Sequence, residues 1–104
     1  MKRPEITNRL IGIIRSVSPD AKIILYGSEA RGDARPDSDI DILILLNKEK
    51  ITFNDQQRIA YPLYDVELDT GISISPLIYS RQEWENRPIK SPFYINIINE
   101  GIEL

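Results

Sequence analysis

The chain has 104 residues, with 13 Lys and Arg against 16 Asp and Glu and a formal net charge of −3. That length predicts one domain with an ordinary core, and the charge balance gives no general electrostatic case for nucleic acid or an anionic membrane. With no Cys and no His, the sequence excludes disulfides, thiol nucleophiles, His bases, Ser-His-Asp triads and thiolate or imidazole metal sites, so a bound metal must be an oxygen-seeking one such as Mg²⁺, Mn²⁺ or Ca²⁺.

The opening residues, Met1-Lys2-Arg3-Pro4-Glu5, lack the apolar h-region of a signal peptide. No apolar run approaches the roughly 18 residues of a membrane span, and a cytoplasmic location is expected. Ile6, Leu10, Ile13, Ile14 and Val17 recur at helical spacing, which predicts an amphipathic helix over about 5–17, ended by Ser18-Pro19-Asp20. Ile23 to Tyr26 is a short apolar run stopping at Gly27, the pattern of a strand buried on both faces. Ser28 to Arg31 predicts one helical turn with Ser28 as its N-cap, and Gly32 to Ser38 is turn chemistry.

Ile40 to Leu46 is the strongest strand signal, with Asp39 and Asp41 at its start. Asn54 to Asp69 predicts a helix that Pro62 should kink or split and that Gly71 should end. Ile72 to Tyr79 predicts a third strand, with Pro76 marking an edge or a bulge. Ser80 caps a short helix through Trp84, and Pro92 to Asn99 forms a last helix ended by Gly101. The order α-β-α-β-α-β-α predicts an α/β sheet covered by helices.

Residues 27–41 carry the chemistry. Gly27-Ser28 follows a strand and opens a turn, where unpaired N–H groups and a hydroxyl suit phosphate oxygens. Asp39 and Asp41 are two apart, so on a strand they share one face while Ile40 enters the core. Two carboxylates side by side are costly unless a cation neutralises them, and Mg²⁺ typically combines one or two carboxylates with substrate phosphates. An EF-hand reading of Asp37 to Asp41 fails, because Ile42 replaces the turn glycine and Lys48 sits where the bidentate Glu belongs.

Gly27-Ser28, ten residues, then Asp39-Ile40-Asp41 resembles the signature of the DNA polymerase β-type nucleotidyltransferases, and the string from Gly27-Ser28-Glu29-Ala30-Arg31-Gly32 to Asp41 resembles their minimal bacterial and archaeal members. The resemblance implies a nucleotidyltransferase fold, a small mixed β-sheet covered by helices, as one domain over residues 1–104. It implies transfer of a nucleoside monophosphate from an NTP to an acceptor. Gly27, Ser28 and Arg31 would bind the nucleotide, and Asp39 and Asp41 would be catalytic ligands of Mg²⁺ or Mn²⁺. It also implies a helical HEPN-type partner, for which the chain would act as antitoxin.

Arg31 has a second reading as an ion-pair partner of Asp33 or Asp37. The family usually adds a third carboxylate from a later strand, where this chain offers Ser73 and Ser75. Asp65, Glu67 and Asp69 stand nearby in sequence, either as a substitute or as a solvated helix face. A degenerate module that binds nucleotide or a partner without transfer is the competing reading. Trp84, Phe93 and Tyr94 read as core or partner-facing aromatics, and Tyr26 as core.

Overall fold

The computed structural model describes residues 2–87 and 90–104. Strands β1 (Lys22–Tyr26), β2 (Ile40–Leu46), β3 (Ile74–Ser80) and β4 (Ile102–Glu103) form one sheet in the order β3-β2-β1-β4. β1 runs antiparallel to β2 and β4, while β2 and β3 are parallel. The sheet is therefore mixed, as the resemblance implied. The parallel pair requires a long crossover, supplied by helix α3 (Phe53–Thr70).

β2 is one of the two inner strands, and its unbroken apolar run reflects burial on both faces. Ile40, Ile42 and Ile44 point with Ile23 and Leu25 into a core closed by Leu10 and Ile14 of α1 (Pro4–Val17) and by Ile59, Leu63 and Val66 of α3. Leu43 and Leu45 point the other way. With Ile24 they pack against Trp84 of a short helix (Arg81–Glu85) and Ile97 of a terminal helix (Pro92–Glu100). In chain order these are α4 and α5; α2 is the turn at Gly27–Arg31. Helices thus cover both faces, α1 and α3 on one, α4 and α5 on the other.

Most predicted elements stand within a few residues of their expected limits, and three differ. Pro62 does not split α3, which runs unbroken for 18 residues. Ile59 before it and Leu63 and Val66 after it are buried in the same core, so packing keeps the helix continuous despite the lost hydrogen bond. Ser28 does not cap α2. Gly27, at φ +73°, turns the chain directly off β1, so the helix starts at Gly27 and Tyr26 takes the cap position. The third difference is β4, which follows Gly101 and adds a short edge to β1. Pro76 does lie on an edge strand, in unbroken register with Ile42.

Two ionic clasps fix the helices. Glu29 of α2 is fully buried and accepts from Arg3 Nε at 2.7 Å and from the N–H groups of Lys2 and Arg3. Burial opposes ionisation of Glu29, but these bonds from Arg3 and Lys2 prevail and hold its carboxyl below the usual range. Thr52 and Asp55 form a reciprocal capping box at the start of α3. Asp55 also accepts from Lys48 Nζ at 2.6 Å, and the hydrogen bonds from Lys48 and the Thr52 N–H hold its carboxyl at about 2.

A depressed folded pKa stabilises above the unfolded value of 3.8 and loses that contribution as pH falls toward 2. Asp55→Asn should therefore be less stable than the wild type at neutral pH, with the difference closing between pH 4 and 2. Urea denaturation across that range checks this.

Candidate nucleotide and metal site

The β1–β2 register pairs Tyr26 with Asp41, which brings the end of β1 beside the start of β2. Gly27 leaves β1 there, and its Cα faces Asp41 so closely that a Cβ would overlap the Asp41 Oδ2 atom. Its positive φ is a second demand for glycine. The expected pairing of a Gly-Ser turn with a carboxylate strand is thus present in three dimensions.

Asp39 immediately precedes β2 and Asp41 is its second residue. Asp41 shares the sheet face of Leu43 and Leu45, the α4/α5 face, while Ile40 enters the opposite core. Burial pushes the Asp41 carboxyl up, the charges of Asp39 and Glu100 push it further, and Arg31 partly offsets them. Neither Asp39 nor Asp41 has an ion-pair partner among the described residues.

The donor set is two carboxylates, all oxygen and mutually repelling. Among the described residues no three acidic groups come close enough to cage a metal. Such a pair fits a hard cation that completes its shell with water and phosphate oxygens, the habit of Mg²⁺.

Ser28 follows at half-burial, and its carbonyl accepts from the N–H groups of Gly32 and Asp33. Arg31 is paired with Asp33 at 3.3 Å, so the ion-pair reading of this residue holds. It also reaches Glu100, the last residue of α5, at 3.3 Å. Glu100 Oε1 accepts from the Gly27 N–H at 3.2 Å. Sequence reasoning missed Glu100: it lies 73 positions from Gly27, and no local pattern links the two.

The position beside Asp41 on β3 belongs to Ser75. Ser73 precedes the strand, and its carbonyl accepts from the Ile40 N–H. The acids of α3 stay away. α3 packs on the face opposite Asp41. On it, Asp65 is exposed, Asp69 pairs with Arg9, and Glu67 accepts from the Ile74 N–H at 2.6 Å, bracing the start of β3. Trp84 is core, stacked on Tyr79 and packed on Tyr94, while Phe93 is exposed against the half-buried Tyr26 ring.

A profile of the nucleotidyltransferase domain family matches residues 7–103. The chain belongs to that family. It is 39% identical over 83 residues to MJ0141, a candidate protein adenylyltransferase of Methanocaldococcus jannaschii, covering 80% of this chain and 77% of that one. A second such protein of that organism, MJ0604, is 38% identical over 86 residues, 77% of this chain and 73% of that one. The fold is also that of a candidate minimal nucleotidyltransferase of known structure, at TM-score 0.65 and 24% identity over 100% of this chain and 97% of the other. It resembles a toxin–antitoxin MntA–HpeT structure at TM-score 0.64 and 20% identity, over 94% and 70% of the two chains.

Two substitutions check the geometry. Gly27→Ala should cost about 1–3 kcal/mol, through the strained backbone and the forced retreat of Asp41. Asp41→Asn should leave stability unchanged or raise it by about 1 kcal/mol, because it relieves burial of a charge and repulsion that Arg31 only partly offsets in the free protein. Thermal and urea denaturation without divalent ions read both effects.

Proposed function

We propose that this chain transfers an adenylyl group from ATP to a hydroxyl on a partner protein, using Mg²⁺ or Mn²⁺ held by Asp39 and Asp41. The observation that carries this reading is a carboxylate pair with no ion-pair partner among the described residues, set against the Gly27 turn. The two relatives described as candidate protein adenylyltransferases support this choice of nucleotide and acceptor class. On this reading residues 1–104 act as one transferase domain in the cytoplasm.

The Gly27 N–H and the Ser28 hydroxyl hold phosphate oxygens, and Arg31 adds a positive charge beside them. The bound cation supplies neutralisation of the triphosphate and of the charge that develops on it. The acceptor oxygen attacks the α-phosphorus in line. The bond from that phosphorus to the bridging oxygen breaks, and pyrophosphate leaves with the bonding pair. The hydroxyl proton passes to water. Gly27, by having no side chain, lets phosphate approach the backbone next to Asp41.

The partner we propose is a helical HEPN-type toxin, with this chain as its antitoxin. The fold neighbours that are toxin–antitoxin structures, one of them with AMP-PNP, support this reading. A second reading has one specific observation in its favour: Ser75 occupies the β3 position beside Asp41 where the family places an acid. On that reading the chain neutralises its partner by contact alone.

Incubation of the chain and its co-purified partner with ATP labelled at the α-phosphate separates the two. Transfer predicts covalent label on the partner and none from γ-labelled ATP. Asp39→Asn or Asp41→Asn should lower the rate by about 100-fold or more. Ser75→Asp should raise turnover by about tenfold with little change in nucleotide affinity. Neutralisation that persists in both Asn variants, with no label, contradicts the transfer reading.

A further inference from the structure

Every donor that the transfer reading assigns to phosphate should be open to solvent in the free protein, yet two of them are engaged. The Gly27 N–H donates to Glu100 Oε1 at 3.2 Å, and Arg31 Nη1 lies 3.3 and 3.4 Å from the two Glu100 oxygens. A carboxylate accepting from a turn N–H and a guanidinium makes the same contacts as a phosphate oxygen, with the same sign of charge. Glu100 is held over the turn from above. It ends α5, and Gly101 seats the chain against β1 so tightly that a Cβ there would come within 2.7 Å of Ile24 Cγ2. Its side chain remains 28% exposed, so it has a route into solvent.

We propose that Glu100 is an internal anion occupying the phosphate position of the nucleotide site, and that it must rotate out before a triphosphate can bind. The inference rests on the transfer reading for the identity of the incoming anion. A metal-ligand role fits less well, because Glu100 faces Gly27 and Arg31 and forms no three-acid cluster with Asp39 and Asp41 among the described residues. The device lowers affinity for any phosphate chain while leaving the turn preformed. It also links α5 to the nucleotide: displacing the carboxylate frees the end of that helix from the turn.

Calorimetric titration of the wild type, Glu100→Gln and Glu100→Ala with AMP-PNP and with inorganic tripolyphosphate, each with and without Mg²⁺, tests this. Removing the competing charge should tighten both ligands about three- to tenfold, most strongly at low salt. At saturating tripolyphosphate the Gly27 amide resonances of the wild type and Glu100→Ala should converge, because phosphate replaces the carboxylate as the acceptor of that N–H. The proposal is overturned if folded Glu100→Gln and Glu100→Ala bind as the wild type does, or bind more weakly. If the wild type binds AMP-PNP and Asp41→Asn abolishes that binding while the Glu100 variants change nothing, the internal anion is refuted and the transfer reading stands. If no variant binds AMP-PNP or tripolyphosphate, both readings fall.

Discussion

The antiparallel register of β1 against β2 is the constraint on which the site depends. Pairing Tyr26 with Asp41 sets the exit of β1 beside the entrance of β2. The chain must then leave β1 through a residue with no Cβ, because Asp41 fills that space. Slipping the register by one residue would turn Asp41 into the core of α1 and α3 and bring Ile40 out. The hydrophobic alternation of β2 forbids that slip, since Ile40, Ile42 and Ile44 on one side and Leu43 and Leu45 on the other each have a packed partner set. Core packing and site geometry are therefore one specification. The same strand that holds the fold together presents the carboxylates.

The acids of the chain divide by what they touch. Glu29, Asp55 and Glu67 each accept backbone N–H groups, and the first two also meet a cation. They are structural, and burial or partnering accounts for them. Asp39 and Asp41 have no such partners, and one of them is half-buried beside the other. A protein gains nothing in stability from that arrangement. It is a local conflict of the kind expected where a site is kept for binding. The buried Arg3–Glu29 pair serves the site indirectly by tying the start of α1 to α2, which fixes the turn that carries Gly27 and Ser28.

Much of this was legible in the sequence, for physical reasons. α1, β1 and β2 have strong periodic or continuous apolar patterns because each buries most of its surface, and burial is what patterning records. The Gly27-Ser28 and Asp39–Asp41 elements were legible because steric and charge requirements there leave few residue types open. Pro62 does not split α3, because its local cost is real while the packing of Ile59, Leu63 and Val66 is nonlocal. β4 was missed because two residues pairing with an edge carry no period. Glu100 was missed because its role exists only after the sheet has folded and α5 has closed over the turn. Ser28 as a cap failed by two residues, a difference set by the positive φ of Gly27.

On the proposed reading, a divalent cation and a phosphate chain neutralise Asp39 and Asp41 together, since neither carboxylate has an ion-pair partner among the described residues. Mn²⁺ binding measured by electron paramagnetic resonance, with and without AMP-PNP, addresses this directly. The account predicts weak Mn²⁺ binding by the free protein, strong binding when AMP-PNP is present, and loss of that synergy in Asp39→Asn and in Asp41→Asn. Mn²⁺ affinity that is indifferent to AMP-PNP, or that survives both substitutions, would contradict it.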